Sequence, residues 1–537
     1  MLRPAVRPLG LSLVAGVLMA ITFPLGQPLP FDNGDGFWVA GWFCLAPLMV
    51  ASARCRTLRS AAALGLAAGL TAYTMVLCWI FPFLQTWAKL SVPEAAGVGG
   101  LLILYVSSYT ALFCTCVSLS SRRWGSAAAY LLAPAAWTGL ELTRATLLTG
   151  FPWCLLGASQ QAAPAAIQVA DLTGTYGVSF VLAAGSSVMA LAFDRLTGNR
   201  PDGRGSGPWI PLFLVLLISA SLAYGGWRLR RAGGVDASLE VALIQANVAQ
   251  ADKWDPAQRD LIEADHDTMT REAARRGAGF IVWSESSVPI SLTRHPDYAR
   301  RLESLADETG AEMLLGTVTY DQVGGTMAPF NSAVMVKPRE GISGRYDKLH
   351  LVPFGEYVPL KKLLFFLAPL VQEASDFQPG KGINLLSARF GPVGSLICYE
   401  AIFPELTRRY ARAGASLMVN ITNDAWYGDT AMPRQHLLLA AMRAVESRRW
   451  LLRCANTGIS AVVDPAGRIT SRSRLNEKTI LAAEVAPGQG VTLYAAVGDA
   501  FAICCVILTL AALCIPRMFV PRMFRRRLDP AGEHDVR

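Results

Sequence analysis

Charge is scarce at the start of this 537-residue chain. Residues 1–230 hold 14 Lys/Arg and 7 Asp/Glu, about 9% of positions, too few to cover the surface of an ordinary water-soluble domain. Recognition motifs are also missing. No GxxxxGK[ST] phosphate loop, paired CxxC or HExxH helix occurs, so nucleotide chemistry and zinc hydrolysis have no starting point. The net charge of +9 is not gathered into one basic stripe, which argues against nucleic acid as a partner. Eleven cysteines are present, but nine lie outside the more polar middle of the chain, mostly in apolar runs. Cysteine there behaves as a small hydrophobe, and a disulfide framework does not follow. With 52% apolar residues and a mean hydropathy of +0.34, disorder and fibrous repeats are excluded.

Long charge-free intervals take the place of charge. A bilayer-spanning helix needs roughly 17–25 apolar residues, and such intervals lie between Arg7 and Asp32, Asp35 and Arg54, Arg59 and Lys89, Glu94 and Arg122, Arg123 and Glu141, Asp171 and Asp194, Arg204 and Arg228, and Asp499 and Arg517. The interval from Arg144 to Asp171 is interrupted by Pro152, Pro164, glycines and paired glutamines, and reads as a surface or re-entrant loop. The positive-inside rule supports eight spans with a cytoplasmic N-terminus. Arg54, Arg56, Arg59, Arg122, Arg123, Arg195, Arg200 and Arg204 then fall inside, and the outer loops among the first seven spans keep only Lys89 and Arg144. Arg228, Arg230 and Arg231 oppose this arrangement. Three parts are expected: a membrane domain of seven helices over 1–230, an extracytoplasmic domain over 231–492, and an eighth helix with a basic cytoplasmic tail over 493–537.

The middle part carries 58 charged residues in 262, about 22%, a normal globular value. Short β-rich runs alternate with helical spacing over 257–275, 295–309, 402–413 and 433–448, which predicts an α/β domain. Three residues stand where strands are predicted to end, the usual place for chemistry in such domains. Cys398 closes GSLICYE just before a predicted helix. It is either a buried structural thiol or a nucleophile activated at a helix N-terminus. Glu285, in FIVWSESSVP, caps a turn or serves as general base. Lys348, in RYDKLHLVPFGEYVP, is an exposed lysine or, beside a thiol, an ammonium that depresses its pKa and holds an oxyanion.

Together these motifs, in this order, resemble the Glu-Lys-Cys triad of the nitrilase superfamily. Spans before and after the domain, with TGFPW at 149–153, QANVAQADKW at 245–254, TNDAWYG at 422–428 and NTGISAVVD at 456–464, make the chain similar to the membrane-embedded branch of that superfamily, the apolipoprotein N-acyltransferases of bacteria. The resemblance implies a multi-span helical membrane domain joined to an α-β-β-α sandwich. It implies that Cys398 takes a fatty acyl chain from a phospholipid, phosphatidylethanolamine being the expected donor, and passes it to the N-terminal amine of a diacylglyceryl-cysteine apolipoprotein. Glu285 would be the base and Lys348 the oxyanion holder. Glu356 is similar to the family's second glutamate, while Tyr399, Glu400 and Asn423 match supporting positions, by positioning the thiol or by touching substrate. Trp254 and Trp426 match tryptophans near the family's lipid entrance.

The chemistry implied needs no metal and no diffusible cofactor, and a monomer in the bacterial inner membrane with a periplasmic catalytic domain is expected. An apolar run at 363–371, with Phe365 and Phe366, follows Lys361 and Lys362. Nine residues are too few to span, but they can dip into a bilayer face or pack as an internal helix. A tethered amidase using the same triad is the alternative activity, separable by whether the pocket is polar and closed or apolar and open toward lipid.

Overall fold

The computed structural model describes residues 6–26, 35–198, 209–231, 238–287, 290–352, 355–356 and 377–514. Phe365, Phe366 and the rest of the 363–371 run lie outside the described residues.

Each of the eight charge-free intervals carries helix. The helical region comprises α1 (Val6–Ile21), α2 (Ala46–Ala53), α3 (Leu58–Val76), α4 (Ile80–Thr86), α5 (Val92–Trp124), α6 (Ser126–Thr146), α7 (Pro164–Ile167), α8 (Ala170–Thr173), α9 (Thr175–Leu196) and α10 (Trp209–Arg231). Local chemistry sets several of their ends. The Thr57 hydroxyl accepts from the Ser60 N–H at 3.0 Å to cap α3. At the start of α5 the Glu94 carboxylate accepts from the Ser91 N–H at 2.9 Å, and Arg122 and Arg123 close its last turn, each charge favourable to the helix dipole. Among the described residues α5, α9 and α10 are long and apolar enough to cross a membrane, and α3 with α4, bent by 55°, passes as a pair.

Of the two readings of the segment between α6 and α7, a surface or a re-entrant loop, burial excludes the first. Trp153 through Gln160 are buried. The Glu141 carboxylate accepts from the Leu156 N–H at 2.7 Å, and the buried Arg144 guanidinium donates to the Tyr73 hydroxyl at 2.6 Å and the Trp153 carbonyl at 3.1 Å. A segment rich in Pro and Gly leaves backbone groups without helical partners, and these side chains supply them.

Beyond Leu239 the chain builds a sandwich. Its strands are β1 (Leu239–Gln245), β2 (Phe280–Trp283), β3 (Glu312–Val323), β4 (Thr326–Lys337), β5 (Gly341–Asp347), β6 (Leu386–Ala388), β7 (Gly391–Ile397), β8 (Leu417–Thr422), β9 (Leu451–Ala455), β10 (Ala461–Val463), β11 (Ile469–Arg472) and β12 (Thr479–Val485). They form two mixed six-stranded sheets ordered β12-β1-β2-β3-β4-β5 and β11-β10-β9-β8-β7-β6. Val241, Leu243, Phe280 and Val282 of one sheet meet Leu396, Ile397, Val419, Ile421 and Leu452 of the other in one core. Helices α11 (Arg259–Arg275) and α12 (Pro296–Thr309) cover the outer face of the first sheet, with Met269, Leu302 and Leu305 against Ile244, Ile281 and Met313.

The second sheet is covered by α13 (Pro404–Arg412) and α14 (Met432–Ser447), before α15 (Leu493–Val497) and α16 (Ala500–Cys514) end the described chain. Every residue of α14 except Arg434 is buried. Ala440, Ala441 and Ala444 join the sandwich core, while Met432, Leu438, Leu439, Met442 and Val445 join the core of the helical region. The burial of α14 includes the polar Gln435, His436, Arg443 and Glu446, each held by hydrogen bonds. The helix joins the two regions, and at roughly 1.5–3 kcal/mol per fully buried large apolar side chain, its Leu and Met residues contribute strongly to their union.

Candidate active site

Three strand ends converge at the seam between the sheets. Glu285 follows β2, Lys348 follows β5 and Cys398 follows β7. All three are buried, Lys348 to 1% exposure. The Lys348 ammonium lies 2.9 Å from a Glu356 carboxylate oxygen and 3.6 Å from Glu285 Oε1. Asn331, from β4, bridges the same two carboxylates, its Nδ2 donating at 2.8 Å to Glu285 and 3.0 Å to Glu356. The other oxygen of Glu285 accepts the Asn423 N–H at 2.8 Å, and that of Glu356 accepts the Val352 N–H at 2.8 Å. Both carboxylates are thus oriented from two sides.

A second buried lysine completes the charge balance. Lys253, 2% exposed, donates to the backbone carbonyl of Glu285 at 2.9 Å. Two carboxylates with two ammonium groups form a balanced set, whereas either lysine alone would leave an uncompensated buried charge. Burial pulls Lys253 down to about 8 despite the Glu285 carboxylate. Burial acts the same way on Lys348, but Glu356 and Glu285 overcome it and hold the ammonium above its usual range.

The thiol behaves differently from the expectation that a helix N-terminus and a lysine would depress its pKa. Burial pushes Cys398 up, the Glu285 carboxylate adds to that, and Lys348 opposes without prevailing. The local backbone explains part of this. Cys398 opens the short 3-10 turn Cys398–Ile402 rather than α13, which starts at Pro404, so no long helix dipole points at sulfur. Its φ of 53° puts it in the left-handed region, where a non-glycine residue is strained and held only by its surroundings.

Glu400 supplies part of that hold. One carboxylate oxygen accepts from the Tyr346 hydroxyl at 2.7 Å and the Leu349 and His350 N–H groups at 2.7 and 3.1 Å, and the other accepts the Ile397 N–H at 2.7 Å. It ties the loop bearing Lys348 to the turn bearing Cys398. Burial raises its pKa to about 7 against these donors. Tyr399 packs on Phe403 with ring centroids 5.1 Å apart and against the helical core. Asn423 links Glu285 to two further motifs, its amide donating to Gln250 at 2.8 Å and its oxygen accepting from Asn456 at 3.0 Å.

Aromatic residues of the helical region form one wall. Trp79 lies 5.2 Å from both Trp153 and Tyr427, Phe83 stacks on Tyr427 at 5.0 Å, and Trp87 meets Trp426 edge-on at 5.0 Å. Trp426 and Trp254 remain 37% and 50% exposed. Among the described residues no three His, Cys, Asp or Glu converge as metal ligands.

Residues 240–492 match the carbon-nitrogen hydrolase family and residues 15–188 match the apolipoprotein N-acyltransferase N-terminal domain. The chain is 38% identical to the apolipoprotein N-acyltransferase of Geobacter metallireducens, over 92% of each chain, and 36% identical to that of Azotobacter vinelandii, over 90% of each. The chain belongs to the apolipoprotein N-acyltransferase family. An amidase from Nesterenkonia sp. of known crystal structure is 22% identical, covering 50% of this chain and 97% of that one at a TM-score of 0.37.

Within this acyltransferase family member, the strand-end motifs flagged in sequence do meet, and Glu356, Glu400 and Asn423 join them. Asn331 escaped sequence reasoning, and Gln250, Lys253 and Asn456 were given no role of their own although they stand within QANVAQADKW and NTGISAVVD. The signal at Asn331 is a polar residue at the rim of an apolar run, FNSAVMVK, which has meaning only once the partner is known.

Proposed function

We propose that this membrane protein transfers a fatty acyl chain from a phospholipid to the N-terminal α-amine of a diacylglyceryl-cysteine apolipoprotein. Cys398 sulfur attacks the acyl ester while Glu285 takes the thiol proton, and Lys348 stabilises the tetrahedral oxyanion. Collapse forms a thioester and expels lysophospholipid, which receives the proton from Glu285. In the second half the lipoprotein amine attacks the thioester, Glu285 accepts the amine proton, and the amide leaves with the thiol restored. The two substrates use one site in turn, so ping-pong kinetics follow.

The observation that carries this reading is the pairing of a raised, strained thiol with an oriented carboxylate and an ammonium behind an aromatic wall lent by the helical region. A thiol that is protonated at rest needs a base within the site, and an apolar wall suits a fatty chain better than a small amide. Trp254 and Trp426 are assigned to the lipid entrance, Tyr399 and Asn423 to support of the site. Phosphatidylethanolamine is the proposed donor. Seven spans before the sandwich and one after it would set the catalytic domain on the periplasmic side of the bacterial inner membrane.

The test is transfer itself. Purified protein in phospholipid vesicles is expected to N-acylate a diacylglyceryl-cysteinyl lipopeptide, and the Cys398→Ala variant, inserted normally, is expected to give none. Transfer by Cys398→Ala at the original rate would end the proposal.

A further inference from the structure

Behind the thiol lies a buried polar chain that the proposed chemistry does not use. His436 and Gln435, neighbours near the start of α14, are both 0% exposed. The Nε2 atom of His436 lies 3.2 Å from the carbonyl oxygen of Cys398, and its Nδ1 lies 3.1 Å from Arg453 Nη2. A carbonyl can only accept, so Nε2 carries a hydrogen, while Nδ1 also lies 3.2 Å from Asp424 Oδ1. Burial and Arg453 lower the pKa of His436, and the Asp424 carboxylate and the Cys398 carbonyl oppose them. Arg453 is itself fixed by Asp424 at 2.7 Å. Asp424 is buried, which alone would raise it, but Arg453 and His436 hold it at about 2.

Gln435 faces the other way and uses its whole hydrogen-bonding capacity on the helical region. Its oxygen accepts the indole N–H groups of Trp153 at 2.7 Å and Trp79 at 3.1 Å, and its amide donates to the carbonyls of Pro24 at 2.8 Å and Val76 at 3.0 Å. Two acceptances and two donations leave nothing unused. Adjacent residues therefore hold, on one side, four groups of the helical region and, on the other, the backbone of the proposed nucleophile.

We propose that His436 is a positioning residue that fixes the strained Cys398 peptide through its carbonyl, and that Gln435 sets His436 in register with the helical region. The thiol's orientation thereby depends on the contact between the two regions, and a sandwich not seated on its helices holds a misdirected nucleophile. This inference rests on Cys398 being the nucleophile. It adds a requirement that no strand-end motif carries, since α14 lies outside all three.

The experiment uses the full chain in phospholipid vesicles and reads two rates by mass spectrometry: acylation of Cys398 by the phospholipid, and alkylation of Cys398 by iodoacetamide. His436→Gln places an amide donor where Nε2 stood, whereas His436→Asn keeps only the end facing Arg453, and His436→Leu keeps neither. The glutamine variant is expected within about threefold of the original on both rates, with Asn and Leu slower by about 10- to 100-fold, the scale of an ångström-sized misplacement. Gln435→Glu, which retains both indole acceptors but loses both donors, is expected to fall between. If the leucine variant does not fold, the Gln and Asn pair decides. Equal rates for Gln and Asn, or original rates in Leu, overturn the inference. Alkylation following this order while even the unsubstituted protein takes no acyl group would sink the acyl-transfer reading and leave the positioning role standing.

Discussion

At Cys398 two neighbours pull the thiol in opposite directions, and the pull can be read separately from the chemistry. Glu285 raises the thiol pKa and Lys348 lowers it. Glu285→Gln removes a negative charge, so the alkylation pKa of Cys398 is expected to fall, while acyl transfer drops by about 10²–10⁴-fold for want of a base. A pH–alkylation profile beside a transfer assay checks both signs. Lys348→Met is expected to raise the thiol pKa further and to slow thioester formation by about 10²–10³-fold, the usual cost of losing an oxyanion donor, as measured by single-turnover acylation. The residues that sequence could offer were those whose neighbours in the chain form a strand-end motif. The roles of Asn331 and Lys253 were invisible because their meaning comes from Glu285, 46 and 32 positions away. The thiol's raised pKa was misjudged for a related reason: burial, the largest influence, is not written beside the cysteine.

At the level of elements, the helices around the sandwich were legible from their spacing. The spacing over 257–275, 295–309, 402–413 and 433–448 anticipates α11 to α14 to within two residues at each end. Strands with an irregular face were not. β5 is half-exposed along GISGRYD, β9 buries Arg453 within LLRCA, and β12 alternates weakly at a sheet edge, so none shows a clean period. For the segment between α6 and α7, glycine and proline signal a loop but not whether it lies on the surface or enters the protein, and its burial excludes only the first. Arg144→Met would leave the Tyr73 hydroxyl and the Trp153 carbonyl without their donor in a buried setting. A loss of about 1–3 kcal/mol is expected, seen as a lower melting temperature in detergent and a slower acylation, because Trp153 also contacts Gln435.

Across the whole molecule, the arginines that opposed the charge-asymmetry reading acquire a structural role. Arg228 at the end of α10 pairs with Asp171 at 2.9 Å, and Arg448 at the end of α14 pairs with the same carboxylate at 2.7 Å. Arg231 lies over the Trp227 ring at 4.4 Å. One buried aspartate of the helical region thus clasps the sandwich, as Asp499 does through Arg408 at 2.8 Å. Asp171→Asn is expected to cost about 1–3 kcal/mol, below the full value for a buried pair because Arg228 is partly exposed, and to hasten proteolytic separation of the two regions. Counting arginines reports topology statistically and cannot see such pairs, which is why the order of regions was legible and their joint was not. The central claim is that Cys398 carries the acyl chain between two lipid substrates. Intact-mass measurement after mixing the protein with phospholipid vesicles tests it most directly. The expected result is one fatty-acyl adduct, mapped to Cys398 and discharged as an N-acyl product when lipopeptide is added; transfer proceeding with Cys398 never acylated would contradict it.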